Sequence, residues 1–110
     1  MIENTIGEIE AKIHASTSIS DGRKQELLQL LGTLKSEVGT LAQTHNEQAS
    51  SIAKFAQASA HEATREKQNA ESLEHSLKGL RSSVDGFEQS HPKLVQIVNS
   101  VSKTLADLGI

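Results

Sequence analysis

Apolar residues recur along this chain at intervals of three and four. Ile2, Ile6, Ile9 and Ile13 open the pattern, and residues spaced in this way share one face of a helix. Ala15–Ser20, a run of small and hydroxyl residues broken only by Ile19, interrupts it. Ser20 followed by Asp21 then reads as a helix start, with the hydroxyl as N-cap and the carboxylate favoured by the helix dipole. The second stripe is Leu27, Leu31, Leu34, Val38 and Leu41, widened by Leu28 and Leu30. A third runs Leu73, Leu77, Leu80, Val84 and Phe87, and ends at Ser90-His91-Pro92, because the residue before a proline avoids the helical region. Leu94, Ile97, Val98, Val101, Leu105 and Leu108 carry the last helix, and Gly109 closes it. No stretch alternates as a strand would. The pattern predicts an all-α chain.

Between these stripes the chain is polar. Of 27 Leu, Ile, Val and Phe residues, 25 fall in 1–42 and 73–110, leaving only Ile52 and Phe55 in the middle. That middle has neither glycine nor proline from Thr40 to Lys78, and its seven alanines lie among Glu, Gln and Lys, all good helix formers. Thr44-His45-Asn46-Glu47 matches a capping box, a pattern that also recurs by chance. The simplest expectation is one domain with helix 1 over 1–16, a continuous central helix over 21–89 and a C-terminal helix over 91–108. At ~1.5 Å per residue the central helix would span roughly 100 Å.

A polar helix of that length needs a partner. Ala49, Ala56, Ala63 and Ala70 fall at every seventh position, in phase with Leu77 and Val84, and small residues in one heptad position let two helices approach closely. Residues 31–41 also parallel 77–87 in sequence. These features predict an antiparallel helical homodimer centred near Ser59, with Ala49, Ile52, Ala56, Ala63, Ala70 and Leu77 at the oligomer interface. The alternative breaks the helix near Thr44–Asn46 and folds the chain into a monomeric four-helix bundle. Gly32 with Gly39, and Gly79 with Gly86, lie seven apart and would mark close helix crossings at the two ends.

Charge and composition narrow the function classes. Lys+Arg 11 against Asp+Glu 14 gives a net charge of −3, without a basic run, which argues against nucleic-acid binding. The absence of cysteine excludes disulfides, thiolate metal sites and cysteine nucleophiles. Neither a membrane span nor a signal-peptide pattern at Met1-Ile2-Glu3-Asn4 is visible, and no helix has the basic face with aromatic anchors of a membrane-surface helix. A cytoplasmic location is the expectation.

Candidate chemistry is sparse. Among His14, His45, His61, His75 and His91 no two have the i,i+3 or i,i+4 spacing that brings two rings to one ion. Glu71 with His75, and Glu88 with His91, have it, but each pair needs ligands from elsewhere. His61-Glu62 lacks the second histidine of a zinc-protease motif. Neither a Gly-x-Ser-x-Gly elbow, a Ser-x-x-Lys nucleophile in a supporting context, a phosphate loop nor an aromatic platform is present. The expectation is a protein without catalytic residues, metal or cofactor.

Phe87-Glu88-x-x-His91-Pro92-x-Leu94 and the ending Leu105-Ala106-x-Leu108-Gly109-Ile110 resemble a family of small bacterial helical proteins classed as a domain of unknown function. The resemblance covers 73–110 best and 1–42 loosely, and the polar middle is longer here than is usual for such proteins. It implies short helices joined by a structural turn at Phe87, Glu88, His91 and Pro92, and brings no activity with it. Two functions then compete. One is a non-enzymatic self-associating scaffold, with a further protein partner at the helical ends. The other is a regulatory adaptor that binds a partner's amphipathic helix in an end groove. A weak metal site at Glu71 and His75 of two copies ranks behind both.

Overall fold

The computed structural model describes residues 2–108 and contains five helices: α1 (Ile2–Ala15), α2 (Asp21–Ala42), α3 (Asn46–Thr64), α4 (Ala70–Ser82) and α5 (Pro92–Leu108). Gly109, expected to close the last helix, lies outside the described residues. Among the described residues there is no strand, and none of the helices is long and apolar enough to cross a membrane. The continuous helix expected over 21–89 is therefore corrected to three helices. The radius of gyration is 12.9 Å and the extents are 37 × 24 × 21 Å. A compact chain of this length is expected at about 13 Å, so a rod of roughly 100 Å is excluded for the single chain.

Each helix has a local cause. Ser20 Oγ accepts from the Arg23 N–H and starts α2. Its far end closes on Leu41, whose carbonyl accepts the His45 N–H at 2.8 Å and the Thr44 N–H at 3.1 Å. His45 then leaves the helical region at φ −137°, ψ 63°, and the Ala49 N–H returns to the His45 carbonyl as α3 begins. Residues 65–69 are all exposed, and Asn69 Oδ1 accepts from the Ser72 N–H at 3.0 Å to start α4. The expected third stripe overran: α4 stops at Ser82, where Ser83 Oγ donates to the Leu80 carbonyl at 2.6 Å. Gly86, at φ +94°, takes a left-handed turn that other residues rarely adopt.

The helices break because tertiary burial outweighs local propensity. Helix α3 packs against all four others, whereas α1 touches only α2 and α3, and α4 only α3 and α5. The part of the chain poorest in Leu, Ile, Val and Phe thus supplies its central helix. The buried face of α3 is Ala49, Ile52, Ala53, Ala56, Ser59, Ala60 and Ala63, narrow enough for neighbours to close in on several sides. Around it, Ile6, Ile9, Ile13, Leu27, Leu31, Leu34, Val38, Leu41, Leu73, Leu77, Leu80, Leu94, Val98, Val101 and Leu105 form one continuous core.

The glycines do not mark crossings at both ends. Gly32 has open space where a Cβ would stand, and Gly86 lies in a turn. Gly79 does meet a close neighbour, the ring of Phe55.

Candidate functional site

Helix α1 presents one apolar face, and the groove between α2 and α3 receives it. Ile6, Ile9 and Ile13 are 0, 2 and 0 % exposed. The groove is made from the aliphatic face of α2 and the alanine face of α3, whose small side chains leave room for a third helix. Polar contacts border the seam. Lys35 Nζ donates to Glu10 Oε1 at 2.9 Å, Gln57 Nε2 to Glu8 Oε2 at 3.1 Å, and Lys12 Nζ to His61 Nδ1 at 3.0 Å. Lys24 Nζ holds the end of α1 through the His14 carbonyl at 3.2 Å. An open cleft of about 460 Å³, lined in part by Glu8, Lys12, Lys54, Gln57 and His61, runs along the α1–α3 side.

Magnitudes separate the roles of these groups. Burial of an isoleucine side chain contributes about 1.5–3 kcal/mol, whereas a partly exposed ion pair contributes about 0–1 kcal/mol. Lys35 and Glu10 retain 40 % and 25 % side-chain exposure, so their pair belongs to the weak class. The isoleucines hold α1 in place, and the polar border sets its register and direction.

The turn residues cluster at another place. The Glu88 carboxylate accepts the Gly86 N–H at 3.0 and 3.1 Å. The His91 N–H donates to the Phe87 carbonyl at 2.8 Å, and the Val95 N–H to the His91 carbonyl at 3.3 Å. Pro92 opens α5. Half-buried Phe87 meets the rings of His91 and His45 edge-on, at centroid distances of 5.6 and 5.5 Å. The α2–α3 turn is thereby pinned to the α4–α5 connection. Each histidine Nδ1 lies beside the hydroxyl of the preceding residue, Thr44 at 2.8 Å and Ser90 at 3.0 Å. These groups build a turn; His45 is the member that sequence reasoning left out.

The expected oligomer interface is corrected by burial. Ala49, Ile52, Ala56, Ala63 and Leu77 are at most 2 % exposed within the single chain and have no free surface to offer a partner. Ala70 is exposed in the first turn of α4. Glu71 and His75 are exposed on α4, and among the described residues no group of three or more His, Cys, Asp or Glu side chains is placed to hold a metal ion. The remaining conspicuous side chain is Phe55, 41 % exposed, whose ring covers Gly79 beside a shallow hollow that includes His75 and Lys78.

A family model described as "Domain of unknown function (DUF4404)" matches residues 27–110. The chain belongs to this family. The DUF4404 segment starts inside α2 and takes in α3, α4 and α5, so the groove from Leu27 onward lies within it, while α1 and the first turns of α2, with Lys24, lie outside it. No curated protein and no solved structure was found to match the chain.

Proposed function

We propose that this chain is a non-enzymatic helical interaction module that docks an amphipathic helix between α2 and α3. One observation carries the reading: α1, outside the DUF4404 segment, occupies a groove that the segment itself builds. The fitting occupant has branched aliphatic residues at the spacing of Ile6, Ile9 and Ile13. It also carries carboxylates where Glu8 and Glu10 meet Gln57 and Lys35. Helix-in-groove recognition of this type is read from anchors at i, i+3, i+4 and i+7. We favour this adaptor over the self-associating scaffold because the expected central helix is three helices here.

The test uses the full-length chain carrying Ile6→Ser and Ile13→Ser, which loosens α1 without touching the groove. A labelled peptide of residues 2–15 is expected to bind this variant saturably, at one peptide per chain, and the wild type far more weakly. Circular dichroism first establishes that the variant keeps α2–α5. Absence of binding by a folded variant would overturn the reading.

A further inference from the structure

We propose that the seam between α3 and α4 is a docking surface for an acidic peptide segment of a partner protein, anchored by an aromatic side chain beside Phe55. The hollow there measures about 340 Å³ and is lined by residues of α3 and α4 alone, among them Phe55, Ala58, His75, Lys78 and Gly79. It uses neither α1 nor the α2–α3 groove, so it stands apart from the helix-docking reading.

Two features set the hollow apart from ordinary surface. Phe55 is the one exposed large hydrophobic side chain among the described residues, and its ring fills the space where a Gly79 Cβ would stand. A ring left partly in water forgoes part of its burial energy, and a glycine inside a helix costs helix stability. Here each accommodates the other. The missing Cβ lets the ring lie against α4, and that contact holds the ring at the rim of the hollow. An anchor that is already placed loses little freedom when a partner binds beside it.

The second feature is charge. The lining carries Lys78 and His75 but no carboxylate, in a chain of net charge −3. Lys78 is exposed and makes no ion pair among the described residues. Of the carboxylates on these two helices, Glu62 is held by Arg65 at 2.9 Å and Glu74 by Arg81 at 3.0 Å, while Glu47 and Glu71 lie outside the lining. Lys78 therefore opposes a cationic ligand and favours a carboxylate next to the apolar anchor. A small-molecule site encloses most of its ligand, whereas this hollow is open and shallow. It suits one side chain of a larger partner, whose flanking acids reach Lys78. An aromatic anchor fits best, because an edge-to-face pair with Phe55 adds to the area buried.

The test follows the backbone amide signals of the full-length protein by NMR as peptides are added. The probe is Gly-Glu-Asp-Phe-Glu-Asp-Gly. One control replaces its Phe by Ala, and the other replaces its acids by Lys and Arg. The probe is expected to shift the signals of Phe55, His75, Lys78 and Gly79 saturably, and both controls to bind about tenfold more weakly or worse. Gly79→Ala displaces the ring without removing it, and Lys78→Glu reverses the charge. Each should weaken the probe about tenfold, and Lys78→Arg should retain it, with circular dichroism confirming that every variant is folded. No shift at these residues up to about 1 mM probe would overturn the proposal, as would equal binding of either control. The same shifts on concentrating the protein alone would assign the hollow to a second copy and overturn it too. The groove is read separately, by the α1 peptide on the Ile6→Ser, Ile13→Ser variant, so failure at one surface leaves the other standing.

Discussion

Gly79 lies in the interior of α4, where glycine costs about 1 kcal/mol relative to alanine. A Cβ at this position would stand 2.5 Å from Phe55 Cε1, so an added methyl must push the ring away. Because Phe55 is 41 % exposed, the ring can swing outward, losing its contact with α4. The propensity gain and the lost contact then oppose each other. Gly79→Ala alone should change stability little, whereas in a Phe55→Ala background it should stabilise by about 1 kcal/mol. Urea denaturation of the four variants measures this; equal effects in both backgrounds would remove the contact from the account. Ser59 offers a second case. Its hydroxyl is buried, 0 % exposed, and has no hydrogen-bond partner among the described residues, and an unsatisfied buried polar group costs about 1–3 kcal/mol. Alanine extends the face of Ala49, Ala56 and Ala63 and removes that cost. Ser59→Ala should raise the urea midpoint by the equivalent of about 1 kcal/mol with an unchanged denaturant slope. A lower midpoint would mean that the hydroxyl has a partner in solution.

Helix caps show where local chemistry ended and packing took over. Ser20 and the stripe from Leu27 to Leu41 were legible because an N-cap and a regular apolar period point the same way, and all five stripe residues are buried. The same holds for α5, where Pro92 precedes a dense apolar face. Residues 43–72 were not legible. Their alanines suit a self-pairing rod as well as a crowded central helix, since both need small side chains on one face. What decides is the need of the Ile, Leu and Val faces on either side for cover, a property of the whole chain. The groove was hidden for the same reason, because it exists only once α3 has turned back along α2. The cue that went unread is Asn69, whose side chain caps α4 after the exposed run 65–69. It now gives a prediction at this scale. Asn69→Ala should cost about 1 kcal/mol through loss of the cap, and Asn69→Asp should retain most of the stability. Thermal melts of the pair would check it. An alanine variant as stable as the parent would show that burial of Leu73, Leu77 and Leu80 alone sets where α4 begins.

For the molecule as a whole, the folded-back arrangement places both polar breaks at the surface and gathers five helices around one core. Helix α3 can contact all its neighbours only if the chain reverses near 44–45 and again over 65–69, so compactness and the two breaks stand or fall together. Small-angle scattering with in-line light scattering reads this directly. In dilute solution the single-chain mass of 11.8 kDa should come with a radius of gyration close to the 12.9 Å of the folded chain, increased slightly by hydration. A two-chain particle approaching the ~100 Å of an unbroken helix over 21–89 would instead require Ala49, Ala56 and Ala63 to leave the interior of one chain for a contact between two. That outcome would remove the α2–α3 groove along with the compact fold. Scattering therefore tests the structural premise beneath the docking reading before any ligand is added.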